Sequence, residues 1–260
     1  MVRAITLLLL ISPLSFAGDN TVSINTKGTN NQITTKQVGN GNTTTILCGS
    51  ATNGTGYSAH TCTNSVYNST VTGNSNVSKL MTVWSNNIGN RYTITIDGND
   101  NYAYIDEDED DNVSTITQTG NSNHAEQLGS GNDNTFAITQ TGSNMWAKIF
   151  DFGDDGNKTI TQYGTGNHNA YIYGNGNAHR NDADIIQYGS GNKDADVLFY
   201  SSDNDVNLTQ YGTGVHAANM TFNTNDYTVN VTQSGVTNQS YTAVFNCTAD
   251  CTKTITITQQ

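Results

Sequence analysis

The residues able to do chemistry are few. Asp154-Asp155 and Asp182/Asp184 supply neighbouring carboxylates, the groups that polysaccharide lyases and hydrolases use for acid–base work. They fall in turns or on strand faces with no distinctive spacing, and the five histidines are scattered without a Ser-His-Asp signature. Solvated turn carboxylates are the simpler reading, and a β-helix carbohydrate-active enzyme is kept as an alternative only. The run Asp106-Glu107-Asp108-Glu109-Asp110-Asp111 is the most charged stretch of the chain. Clustered carboxylates attract Ca²⁺, but the spacing is not that of an EF-hand loop. The favoured reading is a solvated, self-repelling turn that slows association. No catalytic residue, metal or cofactor is expected.

Four cysteines complete the reactive set. Cys48 and Cys62 bracket a loop rich in Gly, Ser, Thr and Asn, and Cys247 and Cys251 bracket three residues. Four cysteines allow three pairings. The local pairs Cys48–Cys62 and Cys247–Cys251 are expected, because each would close one loop. A metal site is disfavoured, since one Cys-x3-Cys has no matching His or second pair, and disulfides suit an oxidising compartment.

That compartment is implied by the first residues. Met1-Val2-Arg3, the apolar run Ala4 to Ile11, and Ser15-Phe16-Ala17 read as a charged region, a short apolar region and a small-residue cleavage site. Residues 1–17 are therefore expected to be a secretory signal peptide, too short in its apolar part to span a bilayer. No transmembrane segment is expected in the mature chain. The formal net charge of −12 argues against nucleic acid, which needs basic density to displace counterions.

The elements that must position these groups are set by composition. Asn, Thr and Gly number 37, 40 and 25 of 260 residues, and all three disfavour helix interiors. Disorder at such low hydrophobicity should bring abundant charge and Pro, yet 12% of residues are charged and there is one proline. Short strands joined by Asn/Gly turns remain.

An internal repeat organises those strands. From residue 113 the phrase apolar-x-Gln-x-Gly recurs: Ile116-Thr117-Gln118-Thr119-Gly120, Ile138-Thr139-Gln140-Thr141-Gly142, Ile160-Thr161-Gln162-Tyr163-Gly164 and Ile185-Ile186-Gln187-Tyr188-Gly189. Leu208-Thr209-Gln210-Tyr211-Gly212, Val231-Thr232-Gln233-Ser234-Gly235 and Ile257-Thr258-Gln259 continue it, with glutamines 22, 22, 25, 23, 23 and 26 residues apart. A second strand follows each turn, as in His124-Ala125-Glu126-Gln127 and Trp146-Ala147-Lys148-Ile149. Two short strands per period cannot build a core alone. Stacked in register at about 4.8 Å, they make two parallel sheets facing across a thin core. One inward column is Ile116, Ile138, Ile160, Ile185, Leu208, Val231 and Ile257; the other is Ala125, Ala147, Ala170, Ala195 and Ala218, thickened by Ile149, Ile172, Val197 and Met220.

Each Gln shares the parity of the inward Ile. A buried amide needs partners, and identical amides stacked at the strand spacing satisfy one another. The expectation is a structural ladder of Gln118, Gln140, Gln162, Gln187, Gln210, Gln233 and Gln259. The following glycines, Gly120, Gly142, Gly164, Gly189, Gly212 and Gly235, suit turns with positive φ.

The Ile-x-Gln-x-Gly-x-x-Asn phrase and the strand–turn–strand period of about 22 residues resemble the curlin repeat of curli subunits, the extracellular amyloid fibres of biofilms. The likeness covers 113–260. It is weaker over 66–105, where Ile96 stands at the Gln position, and frayed around Gln37-Val38-Gly39-Asn40. Curlins usually close the second strand with another Gln; here Gln127 fits that part, and Phe150, Tyr173, Phe199, Phe222 and Phe245 are expected to replace it with an aromatic column. The resemblance implies self-assembly, a nucleator subunit and curli-type secretion machinery as partners.

The expected architecture is all-β, a two-sheet parallel β-solenoid of nine or ten rungs with repeats of about 22–23 residues. Residues 18–112 are degenerate rungs with a Cys-bracketed loop, and 113–260 are the curlin-like repeats. The chain ends on Thr256-Ile257-Thr258-Gln259, so that edge is expected to be open, with the irregular N-terminal region capping the other. The expected function is a secreted structural protein, forming cell-surface fibres for adhesion and biofilm matrix. A monomeric solenoid with a Thr-rich ice-binding face is the other alternative. Its Thr-x-Thr pairs break at Ala137, Asp184/Ile186, Asn207 and Asn230.

Overall fold

A computed structural model describes residues 7–9, 18–49, 60–82, 86–174, 182–199, 204–222, 227–245 and 253–260. Within them, runs of alternating Thr, Ile, Val and Tyr bounded by Gly and Asn form strands, and every described element is a strand. All pairings are parallel, each strand lying beside its equivalent one period away. The result is a β-solenoid of about nine turns.

The first sheet stacks Gln32–Val38, Val66–Thr72, Arg91–Asn99, Val113–Asn121, Thr135–Ser143, Asn157–Gly164, Asp182–Gly189, Asp205–Gly212, Tyr227–Gly235 and Lys253–Gln259. Leu7–Leu9 lies along its outer edge, beside Ile33–Thr35. The rest of residues 1–17, expected to be a signal peptide, lies outside the described residues. The second sheet stacks Thr21–Thr26, Thr43–Cys48, Val77–Thr82, Tyr102–Asp108, His124–Ser130, Trp146–Asp151, Asn169–Tyr171, Lys193–Asp196, His216–Phe222 and Gln239–Phe245. Sequence reading missed a third, narrow sheet of Gly28–Thr29, Cys62–Thr63 and Asn87–Ile88, which gives the first rungs a third side. No helix among the described residues is long and apolar enough to cross a membrane.

The register sets the core. Ile94, Ile116, Ile138, Ile160, Ile185, Leu208 and Val231 stack in one buried column, and Ala103, Ala125, Ala147, Ala170, Ala195 and Ala218 in the facing sheet. Each buried Ile is stabilised by about 1.5–3 kcal/mol relative to exposure, so the core gains strength rung by rung. Phe136 continues the column of Ser114, which runs on to Lys158, Ala183 and Val206, and all five are buried; Phe199 and Phe222 are buried as well.

The degenerate N-terminal rungs obey the same register. Gln37, Val71, Ile96 and Gln118 are successive partners, as are Ile33, Tyr67, Tyr92 and Ser114. Tyr67 and Tyr92 meet edge to face, and burial pushes the Tyr67 hydroxyl, 3.0 Å from Thr82 Oγ1, up to about 12. Cys48 and Cys62 are buried and joined as a disulfide, with Cα atoms 5.9 Å apart. Cys247 and Cys251 lie outside the described residues.

Candidate functional site

Three stacked columns run along the corner where the chain passes from the first sheet to the second. The first is made of amides. Gln118 Nε2 donates to Gln140 Oε1 at 2.9 Å, Gln140 to Gln162 at 2.9 Å, Gln162 to Gln187 at 2.8 Å and Gln187 to Gln210 at 2.9 Å. Gln210 donates to Gln233 and Gln233 to Gln259, both at 2.7 Å. The second proton of each amide goes sideways. Gln118, Gln140, Gln162, Gln187, Gln210 and Gln233 donate to the backbone carbonyls of Tyr102, His124, Trp146, Asn169, Asp194 and Ala217, at 2.7 to 2.9 Å. Each amide thus ties its rung to the next and the first sheet to the second. The six from Gln118 to Gln233 are fully buried. Ile96 precedes Gln118 and carries no donor, so the Gln118 Oε1 has no partner.

The second column is glycine. Gly98, Gly120, Gly142, Gly164, Gly189, Gly212 and Gly235 all have φ between 102° and 143°. Their carbonyls point along the stack, and in the N-terminal half a corner Asn reaches each one. Asn76, Asn101 and Asn123 donate from Nδ2 to Gly98, Gly120 and Gly142 at 2.7, 2.7 and 2.9 Å. Their Oδ1 atoms accept the backbone N–H of the corner residue one rung on, as Asn123 N does to Asn101 Oδ1 at 2.9 Å. The Gln and Gly were visible as motif residues. The Asn was visible as well, but as a turn former, with no sign that it would be buried and bridge rungs.

Further along, the corner column changes character to Met145, His168, Lys193 and His216. Lys193 Nζ takes over the Asn role, donating to Gly212 O at 3.3 Å and also to Gly191 O and Gly214 O at 2.9 and 2.8 Å. His168, Lys193 and His216 are all buried. Burial, then the Lys193 charge, holds His168 below the ordinary histidine value, and burial foremost lowers His216 too. A base whose folded pKa is depressed leaves stability intact above its unfolded value near 6.5 and loses it as pH falls below that. Asp106, Asp184, Asp194 and Asp205 shift the opposite way, raised chiefly by burial, and so return some stability nearer pH 4. The urea midpoint is therefore expected to drop between pH 7 and 5 and to level or recover below that. His168→Asn with His216→Asn, restoring the side chain of the earlier rungs, should flatten the first limb; an unchanged limb would refute the assignment.

Two expectations need correction. The aromatics do not form one column replacing a second Gln. Gln127 is in register with Ile105 and Ile149, so that position is filled by buried Ile105, Ile149, Ile172, Val197 and Met220. The aromatics split by strand parity, which alternates faces. Phe199 and Phe222 are buried and stacked, centroids 5.6 Å apart, whereas Phe150 and Tyr173 are half-buried on the outer face with Phe152 and Tyr171. The side chain of Phe245 lies outside the described residues. Nor is the acidic run wholly a solvated turn. Asp106, Glu107 and Asp108 end a strand, and its alternation turns Glu107 inward, where it is 1% exposed and accepts from Ser114 Oγ. Asp106 accepts from Tyr104 Oη, leaving Glu109 and Asp111 exposed in the turn.

The other chemical candidates are dispersed. Asp155 sits in a turn at φ 59°, and Asp182 and Asp184 lie on the outer side of a first-sheet strand. Among the described residues no three His, Cys, Asp or Glu side chains group as metal ligands. On the outer face Thr117, Thr139 and Thr161 are followed by Ile186 before Thr209, and Thr115 by Ala137, Thr159, Asp184 and Asn207.

A repeating Gln–Gly–Asn corner on a two-sheet solenoid is a specific combination, and a family model agrees with it. The model described as the curlin-associated repeat matches residues 178–212. Those residues are similar to the curlin-associated repeat. No curated protein and no solved structure matches the chain. The matched curlin repeat contains Gln187 and Gln210, two consecutive amides of the ladder, 2.9 Å apart. The same parallel register continues in the rungs on either side.

Proposed function

We propose that this protein is a secreted structural protein whose copies assemble into extracellular, curli-like amyloid fibres for adhesion and biofilm matrix. The observation that carries the reading is the identity of successive rungs. Each rung presents the next with the same amide, glycine carbonyl and backbone groups that it received. A surface that has already been matched by its own copy is a template for another. Among the described residues, Lys253–Gln259 pairs on one side only, with Tyr227–Gly235. A structural role fits a chain whose glutamines from Gln140 to Gln233 are hydrogen-bonded to one another from rung to rung. The curlin repeat supports self-assembly at the cell surface, and with it a nucleator and a curli-type secretion channel as partners.

Purified protein lacking residues 1–17 is expected to form fibres with a cross-β diffraction pattern. Gln162→Ala with Gln210→Ala should slow their growth more than Thr161→Ala with Thr209→Ala, read by light scattering. Persistent monomer over days at high concentration would end the fibre reading, and equal effects of the two variants would remove the ladder from it.

A further inference from the structure

Three tyrosines stand one above another on the outer side of the first sheet. Tyr163 is in register with Tyr188, and Tyr188 with Tyr211. Thr141 and Ser234 hold the same position in the rungs on either side, so the column is three rings long. In-register parallel strands repeat at about 4.8 Å, and the rings follow that spacing. Their centroids are 5.1 and 5.0 Å apart, and their planes lie within 11° and 6° of parallel. The column faces solvent: Tyr163 is 42% exposed, and the other two are half-buried.

The phenol groups sense one another. The Tyr188 hydroxyl is held above its ordinary value, by desolvation first and then by Tyr163 and Tyr211. Tyr188 is thus a neutral phenol at neutral pH, and its oxidation releases a proton as well as an electron. Other tyrosine pairs are arranged differently. Tyr67 and Tyr92 meet edge to face inside the core, where both are buried. Tyr171 and Tyr173 are parallel, but they are next-but-one neighbours in the chain with centroids 6.4 Å apart, so a bond between them would join no separate rungs. The place of the column is also specific. The three rungs that carry these tyrosines are the ones whose corner holds His168, Lys193 and His216 instead of asparagine.

We propose that Tyr163, Tyr188 and Tyr211 form a site of oxidative modification, where hydrogen peroxide acting through a haem peroxidase joins neighbouring rungs of one chain by dityrosine bonds. Tyr188, in the middle, couples with either neighbour. Each of two phenols gives up one electron and its hydroxyl proton, and one hydrogen peroxide takes up both electrons and both protons to become two waters. The two phenoxyl radicals join through a new bond between ring carbons ortho to the oxygens. The hydrogens on those carbons then move to the oxygens, which restores two phenols. Rings already stacked need no diffusion to meet, and that held geometry favours this coupling over all others. The product staples together residues 25 or 23 positions apart in the sequence. It forms within single chains, so it stands or falls apart from fibre assembly.

The test treats the purified full chain, at low concentration, with hydrogen peroxide and a haem peroxidase. Dityrosine is read by its fluorescence and by mass spectrometry of the linked peptides. Tyr163–Tyr188 and Tyr188–Tyr211 links are the expected main products, each lighter by two hydrogens than the separate peptides. A mixture of ordinary and isotope-labelled chains should give links that are wholly light or wholly heavy. Tyr188→Phe keeps the ring and removes the shared partner, so it should lower the yield about tenfold, and Tyr163→Phe by about half. Tyr171→Phe should leave the yield unchanged. Because a covalent loop restricts the unfolded chain, the cross-linked protein should unfold at a higher urea concentration than the untreated one, and treated Tyr188→Phe should show no such rise. Mixed light–heavy links as the main product, or a full yield from Tyr188→Phe, would overturn the site. Links without a rise in the urea midpoint would overturn its role as a staple.

Discussion

Gln162→Ala is expected to lower the unfolding free energy by about 3 kcal/mol or more, because it strands three buried groups at once, each costing about 1–3 kcal/mol. The Gln140 amide loses its acceptor, the Gln187 Oε1 loses its donor, and the Trp146 carbonyl loses its sideways partner. Gln118→Ala should cost distinctly less. Gln118 already carries an unpaired Oε1, so its removal only passes that deficit to Gln140 and adds the loss at Tyr102 O. Thr161→Ala, on the outer face, should stay within about 0.5 kcal/mol. Urea titrations of the three variants, with hydrogen exchange to locate the opened rungs, give the ranking. A Gln118→Ala cost equal to that of Gln162→Ala would show that the amides act singly and not as a ladder.

Gly120→Ala should be still more damaging. At φ 117° an L side chain is strained, and its Cβ would stand 1.8 Å from the Gly142 carbonyl oxygen, a backbone atom with no room to move. The rungs of Gly120 and Gly142 must separate locally, breaking the Asn123 to Gly142 bond and the Gln118 to Gln140 step beside it, and the expected loss exceeds about 4 kcal/mol. Gly41→Ala is the matched control. Its φ is 65°, and the nearest atom to an added Cβ is Ser75 Oγ at 3.7 Å, so only the left-handed backbone cost of about 1–2 kcal/mol applies. Circular dichroism melts of both variants separate the two cases. A Gly120→Ala protein as stable as Gly41→Ala would mean that the corners are looser than their stacking distances imply.

Much of this architecture was legible in the sequence because its period is short and its inward residues recur. Ile116, Ile138 and Ile160 announce a column once the strand alternation is read, and the facing alanines fix the second sheet. The N-terminal rungs were harder for a physical reason. They keep the groups that shape the backbone, Gly73 and Gly98 at the turn and Asn42, Asn76 and Asn101 at the corner, while Val71 and Ile96 replace the glutamines a motif search looks for. The fate of Glu107 was hidden because a run of like charges resembles a loop, and only the strand end assigned to Asp106–Asp108 shows which member turns inward. Phe150 and Phe199 were placed in one column for a similar reason: with strands of four to six residues, a shift of one position exchanges core for surface.

The two corners of the solenoid are unequal in what they tolerate. The corner from first sheet to second is locked by stacked Gln, Gly and Asn, and from Gln118 to Ala125, Gln140 to Ala147 and Gln210 to Ala218 its length hardly changes. The return corner carries the length variation, including the stretch between Cys48 and Cys62. Lineages of such chains can therefore accumulate insertions along one seam without disturbing the pitch of the coil. For an engineer the same seam is the place to graft a foreign peptide, which a fibre would then display in a row at every subunit.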